Sequence, residues 1–236
     1  MASVRVVEIL AGVSESKRVT EAPTRLVFAC AAALPVTGVG LMLMTDRGPA
    51  GMVAASDGPA ATMEELQFTL GEGPCVDCSR SSRPVLQPDL ARTGPGLWPA
   101  FSSGALDAGI RAIFAFPVQV GGIRLGVLDL YRDVAGELTD DELAEALSFA
   151  DAATTVLLDL QARDADGAGF ESIEALQDRA EVHQATGVAA VHANVSLPEA
   201  LVLLRARAYA SGRPILSVAR DVLSGAVRLV DESQKR

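Results

Sequence analysis

Two β-rich segments, residues 110–120 and 123–131, are separated only by Gly121-Gly122, a dipeptide that takes the positive φ angles of a tight turn without steric cost. No other feature constrains the fold as much, because so short a connection forces its flanks to pair antiparallel and so requires a sheet. Upstream, the apolar run 36–45 and the segment 51–56 lie on either side of a short turn at 46–49 and read as a second hairpin. Apolar spacing predicts a helix over 20–34, carrying Leu26, Val27, Ala29, Cys30, Ala33 and Leu34, and another near 60–70. Thr139-Asp140-Asp141-Glu142 sets a capping Thr three residues before a Glu and opens a helix to about residue 163. Strands flanked by helices and closing on an antiparallel pair predict an α+β domain over 1–163.

The pattern breaks at 164–171, where Gly167 and Gly169 mark a linker, and no β signal follows. Helical periodicity covers 172–192. A second capping box, Ser196-Leu197-Pro198-Glu199, opens a helix to about Ala210 with Leu197, Leu201, Leu204 and Ala208 as its apolar stripe. Ser211-Gly212-Arg213-Pro214 ends it. A third helix carries Ile215, Val218, Ala219, Val222, Leu223, Ala226 and Val230 on one side. Residues 172–236 therefore read as a small all-α three-helix bundle. Gly187 falls inside the first of these helices at a cost of about 1 kcal/mol relative to Ala, and close approach of a neighbouring helix is the expected reason.

Apolar residues make up 49% of the 236 and aromatics only 4%, so the core must be aliphatic. No apolar run approaches the roughly 18 residues of a membrane span, and the first residues lack the pattern of an export signal, so a cytoplasmic protein is expected. Cys30, Cys75 and Cys78 have no partners for a tetrahedral metal site, and His183 and His192 are nine residues apart, which does not bring them to one helix face. Neither a metal nor another cofactor is expected. Carboxylates are plentiful, but none is paired with a recognisable nucleophile and no glycine-rich phosphate loop follows a strand, so the chain reads as a non-enzyme.

The net charge of −10 excludes indiscriminate coating of nucleic acid. It is unevenly spread: residues 1–169 hold 12 basic and 22 acidic side chains, whereas 170–236 hold eight of each. Any nucleic-acid role must therefore use a local surface in the second domain, where six arginines precede Lys235-Arg236 and offer planar stacking and bidentate phosphate contacts. Arg205 and Tyr209, at i and i+4, share a face away from the apolar stripe; a ring that stacks on an unpaired base beside a guanidinium suits a single-stranded loop. Arg207 and Arg213 extend that surface.

Leu70-Gly71-Glu72-Gly73-Pro74-Cys75, with Arg83-Pro84-Val85 and Pro88-Asp89-Leu90, resembles the ligand-loop region of GAF domains, and Phe116-Pro117-Val118 through Gly126-Val127-Leu128-Asp129-Leu130-Tyr131 resembles their closing hairpin. The run Arg179-Ala180-Glu181-Val182-His183-Gln184-Ala185-Thr186-Gly187, then Pro198-Glu199-Ala200, Leu204-Arg205-Ala206 and Val218-Ala219, resembles the ANTAR signature. At Thr186 the sequence departs from the Lys of many ANTAR modules. The combination is similar to soluble GAF–ANTAR regulators of actinobacteria. It implies a GAF-like antiparallel sheet flanked by helices, followed by an ANTAR bundle that binds hairpin RNA in nascent transcripts and acts by transcription antitermination, with no specific DNA binding. On this resemblance Gln184, Thr186, Arg205, Arg207, Tyr209 and Arg213 are the RNA-contacting residues, and Glu72, Cys75, Cys78, Asp89, Phe116 and Asp129 line a site for a sensed small ligand.

Two alternatives stay open on the sequence. Free methionine sulfoxide reductases are GAF-fold enzymes with cysteines in the same loop, so Cys75 and Cys78 could serve a thiol enzyme or redox sensor, one attacking and the other resolving. The helix over 139–163 carries Leu143, Ala146, Leu147, Ala150, Thr154, Leu157 and Leu158 on a heptad-like track. That track either forms a homodimer, as expected of such regulators, or packs on the sheet of its own domain.

Overall fold

The Gly121-Gly122 turn joins β4 (Ala112–Val120) to β5 (Ile123–Arg132), with Gly121 at φ 57°. In this computed structural model, which describes residues 4–14, 21–45, 48–164 and 174–229, the hairpin forms the middle of a five-stranded antiparallel sheet. β1 (Gly38–Thr45) and β2 (Gly48–Ala55) make the other hairpin, and β3 (Val85–Gln87) closes the far edge, in the order β2-β1-β5-β4-β3. The β1–β5 pairing sets Gly38 opposite Tyr131, Gly40 opposite Asp129 and Met42 opposite Val127.

Because side chains alternate across a strand, this register sorts the sheet into two faces. One carries Gly38, Gly40, Met42, Val127, Asp129 and Tyr131 and is covered by α3 (Gly58–Leu70), α4 (Pro74–Ser81), α5 (Leu90–Leu97) and α6 (Pro99–Asp107). The other carries Leu41, Leu128, Leu130, Phe114 and Phe116. It is covered by α2 (Ala22–Ala33) and α7 (Asp140–Asp164), on which α1 (Val4–Ser14) packs. α7 passes so close to Gly126 that a Cβ there would come within 3.0 Å of Leu157 Cδ1 and 2.5 Å of the Met42 carbonyl oxygen. At the head of α7 the expected capping box is present: Glu142 accepts from the Thr139 backbone N–H at 2.8 Å, and Thr139 Oγ1 accepts from the Glu142 N–H at 3.3 Å. Along α7, Ala146, Ala150 and Leu157 are buried, while Leu147 and Leu158 stay 42% exposed. The buried part of the heptad-like track thus packs within its own unit.

The chain divides into two compact units, 1–173 and 174–236. All but the first residue of the linker expected at 164–171 lies outside the described residues. The second unit consists of α8 (Glu174–Ala193), α9 (Leu197–Ser211) and α10 (Ile215–Leu223), packed through Val182, Ala185, Ala189, Ala200, Leu204, Ala208, Ile215, Val218 and Val222. Ser196 and Glu199 form the capping box of α9, and Gly212 ends that helix at φ 61°.

The structure differs from the sequence reading in four places here. The third helix stops at Leu223 because Gly225 turns the chain at φ 78°; Ala226 is exposed and Val230 lies outside the described residues. Leu197 is 54% exposed, since the buried stripe of α9 begins at Ala200. A Cβ on Gly187 would meet nothing within 4 Å, so close packing within the unit does not account for that glycine. Finally, the structure adds α1 and α6, and also α4, β3 and α5, whose Pro- and Gly-rich stretch over 71–99 carries turn signals at every few residues.

Gly40 has the sharpest steric role in the sheet: a Cβ there would lie 1.9 Å from Glu64 Oε1 and 2.5 Å from Glu64 Cδ. Glu64 is fully buried and has no space into which to withdraw. Gly40→Ala is expected to destabilise the chain by about 1–3 kcal/mol in urea unfolding, as overpacking of a filled core does. Glu64→Ala in the same chain should recover part of that loss, which a double-mutant cycle measures.

Candidate functional site

α3 begins at Asp57, whose carboxylate accepts from the Ala60 N–H at 2.8 Å, and this cap sets which side of the helix meets the sheet. Glu64 and Gln67, three residues apart, share that side and are both buried. Glu64 fills the space that Gly40 leaves, with Tyr131 Oη donating to its Oε1 at 2.7 Å. Gln67 Nε2 donates to Asp129 Oδ2 at 3.3 Å and to Tyr131 Oη at 3.2 Å, while Gln67 Oε1 accepts from the Cys75 N–H at 2.9 Å. Glu64 Oε2 and Asp129 Oδ1 are buried with no donor from another side chain or the backbone, and the two carboxyls hydrogen-bond each other. Burial, and then its neighbour Asp129, raise the Glu64 carboxyl well above the usual carboxylate range, and burial pushes Asp129 up to about 7. Two facing carboxyls without a compensating cation hold a proton that isolated carboxyls would release.

Of the residues expected to line a ligand site, Asp129, Cys75 and Cys78 meet on this face. Both thiols are fully buried on α4, packed with Met42, Met44, Val76, Ala115 and Val127. Burial raises both thiols, and the charge of Asp129 adds to it. The other three are occupied elsewhere. Glu72 Oε1 accepts from the Phe101 N–H at 2.8 Å and so ties the α3–α4 connection to α6. Asp89 caps α5 by accepting from the Arg92 N–H at 3.1 Å. Phe116 pairs with Leu128 and lies on the opposite face of the sheet from Asp129, because the two residues differ by an odd step in register.

In the second unit Tyr209 is 60% exposed near the end of α9, Arg207 is exposed, and Arg205 is half-buried on the same helix. Val202, about two turns before Tyr209, extends this outward side and is 62% exposed. Gln184 is exposed on α8. Arg213 is held by Asp221 at 2.7 Å and by Ser217, which fixes it across the α9–α10 turn. Thr186 is 5% exposed and its hydroxyl donates to the Val182 carbonyl at 2.7 Å, inside its own helix. Among the described residues no three His, Cys, Asp or Glu are placed to hold a metal ion, and no single helix is long and apolar enough to cross a membrane.

The GAF domain family model matches residues 23–158, which spans the whole sheet and the helices on both faces. The chain belongs to the GAF family. An ANTAR domain model matches 173–223, the three helices of the second unit. Comparison with curated proteins returns no match. Solved structures that resemble the chain include the GAF domain of a phosphoenolpyruvate-protein phosphotransferase from Coxiella burnetii, at 17% identity and TM-score 0.51, covering 70% of this chain and 95% of that one. The equivalent domain from Acinetobacter matches at 13% identity and TM-score 0.50, covering 67% and 93%. fRMsr of Staphylococcus aureus in complex with substrate matches at 13%, TM-score 0.50, covering 65% and 94%. At these identities the likeness establishes the fold alone. GAF domains are sensory modules and ANTAR domains are RNA-binding antitermination modules, an architecture that suggests a regulator.

Within the GAF domain, Glu64, Gln67 and Tyr131 are the site residues that sequence reasoning missed. The legible signal was the i, i+3 placement of Glu64 and Gln67 in a helix opposite two strand glycines, Gly38 and Gly40. Thiol chemistry at Cys75 requires a thiolate, and the acidic, dry surroundings oppose one. Both thiols are therefore expected to react with an aromatic disulfide reagent only as fast as the domain opens, far more slowly than in the denatured chain. The acid pair has a second consequence. The folded chain keeps a proton that the unfolded chain loses in the ordinary carboxylate range, so stability is greatest below that range and falls as pH rises towards about 7. Melting temperature should fall between about pH 5 and about pH 8, and Glu64→Gln, which removes one titrating group, should flatten the profile.

Proposed function

We propose that the chain is a signal-responsive RNA-binding regulator acting by transcription antitermination, with residues 1–163 as the sensor, 172–236 as the RNA module and 164–171 as the linker. The match of an ANTAR domain to α8–α10 carries this reading. The outward side of α9 supports it chemically: Tyr209 is exposed there with Arg205 one turn before it on the same side, and residues 170–236 hold eight basic and eight acidic side chains. With little net charge, affinity comes from stacking and a few charge-assisted contacts at an unpaired hairpin loop, not from phosphate counting. The contact set is Gln184, Arg205, Arg207 and Tyr209, with Arg213 bracing the turn behind them. The partner is a hairpin in a nascent transcript, the protein acts in the cytoplasm as a homodimer of the actinobacterial type, and duplex DNA is not a target. The GAF domain senses a small ligand on the Asp129 face of its sheet, where the buried Glu64 and Asp129 carboxyls meet.

In gel shifts with leader-RNA hairpins, Tyr209→Ala is expected to weaken binding by about 1–3 kcal/mol, the worth of one base stacked on a ring, with helical content unchanged. Leu204→Ala, a deletion from the core of the unit, should instead lower its melting temperature. Full binding by Tyr209→Ala would show that α9 presents the wrong face, and a parent protein that binds no hairpin from its own genome would refute the regulator reading.

A further inference from the structure

We propose that Cys75, Cys78, Met42 and Met44 form a binding site for a soft monovalent metal ion of the copper(I) class, between β1 and α4. Such an ion is then the small ligand sensed by the GAF domain, a role that rests on the sensory reading of that domain.

The four sulfur side chains come from two distant stretches of sequence and are packed in one buried cluster. Its other members are Val76, Ala115 and Val127, with Phe68 and Val85 at the edge. Two periodicities bring the sulfurs together. Met42 and Met44 are alternate residues of β1 and so point to the same side of the sheet, the side that α4 covers. Cys75 and Cys78, three apart on α4, share the side of that helix turned to the strands. Along the chain the two thiols lack further ligands, and the fold supplies them as thioethers.

This ligand set selects the ion. A structural zinc site takes four ligands from Cys, His and carboxylate, and among the described residues no three His, Cys, Asp or Glu are placed to hold a metal ion. Two thiols completed only by thioethers make a sulfur-only set, which suits a soft monovalent ion and not a hard one. Binding breaks both S–H bonds and forms two metal–thiolate bonds; the two protons leave to solvent and no electron is transferred. The ion needs little room, because its neighbours are the sulfurs themselves, at about the 2.3 Å of a zinc–thiolate bond.

Local structure favours the ligand form of each thiol. Cys75 lies in the first turn of α4, where the helix dipole favours a thiolate, and Gln67 Oε1 fixes that turn by accepting from the Cys75 N–H at 2.9 Å. The Val85 backbone N–H donates to the Cys78 thiol, a bond that strengthens when the sulfur is ionised. The Asp129 charge opposes a bare thiolate at both positions, and the same negative neighbour attracts a bound cation.

The test titrates the full, reduced chain under anaerobic conditions with copper(I) against a chromogenic copper(I) chelator, and with silver(I), zinc(II) and magnesium in parallel. One copper(I) or silver(I) per chain is expected, with sulfur as the sole neighbour in X-ray absorption at the copper edge. Cys75→Ser and Cys78→Ser should each lower affinity by more than the roughly 10–100-fold that loss of a ligand's outer partner costs, and Met42→Leu and Met44→Leu by about tenfold. Cys30→Ser should bind as the parent does, since Cys30 lies on α2 over the other side of the sheet. Where a serine variant fails to fold, the methionine variants and the absorption spectrum of the parent decide. Nitrogen or oxygen neighbours at copper, zinc(II) held as tightly as copper(I), affinity unchanged in either the serine or the methionine variants, or no binding at all overturns the proposal. Gel shifts with hairpin RNA on loaded and metal-free chain separate the site from the sensory role. Copper(I) bound at the sulfurs with RNA affinity unchanged overturns the sensory role alone, and no copper(I) bound with RNA binding intact overturns the site alone.

Discussion

Glu64 lies against the centre of a β-sheet, and it does so only because Gly40 has no side chain. That one steric allowance organises the face of the domain on which the buried polar groups sit. With Gly40 vacated, the Glu64 carboxyl reaches Tyr131 Oη at 2.7 Å and comes beside Asp129. Gln67, one turn further along α3, then completes a set of hydrogen bonds running from β5 through α3 to the first turn of α4. Two acids in a dry layer are costly to bury, and the structure meets that cost by keeping a proton and by supplying a phenol and an amide as donors. The proton held between the two acids is the chemical character of this face.

The opposite face shows what the same sheet does when it is purely structural. There Leu41, Leu128, Leu130, Phe114 and Phe116 meet α2 and α7, and Arg132 at the end of β5 lies 5.5 Å over the Phe114 ring and pairs with Glu142 at the head of α7 at 3.1 Å. Alternation along β5 sets Asp129 between Leu128 and Leu130, so a single strand serves both a hydrocarbon layer and a polar one. The cysteines belong to the polar side by position and to the hydrocarbon side by chemistry. They are small buried groups whose thiolates the neighbouring acids oppose.

The second unit is built on a smaller scale. Its core is largely Ala with a few Leu, Val and Ile, which lets three short helices approach closely, and the larger apolar side chains Val202, Tyr209 and Val191 point outward. Outward placement of a tyrosine on a helix that already has its buried stripe is what a stacking surface requires. Thr186 illustrates the converse, since a signature position one step round the helix faces the core and bonds its own backbone.

Much of this was legible along the chain because it depends on near neighbours. The Gly121-Gly122 hairpin, the capping boxes at Thr139 and Ser196, the change from strands to helices after the glycines near 167, and the exposure of Tyr209 all follow from turn chemistry and from residues within two helical turns of one another. Tertiary structure decided what depends on partners distant in sequence. The pairing of β1 with β5 put Gly40 beside Asp129, some ninety positions on, and so made a site of Glu64, which in sequence is one acid among 30. It sent Phe116 to the far side of the sheet and gave Glu72 and Asp89 to backbone N–H groups that no local pattern announces. Local sequence sets which segments form strands and helices; which of their faces meet is set by burial of the whole, and that is where this protein's buried acids acquire their chemistry.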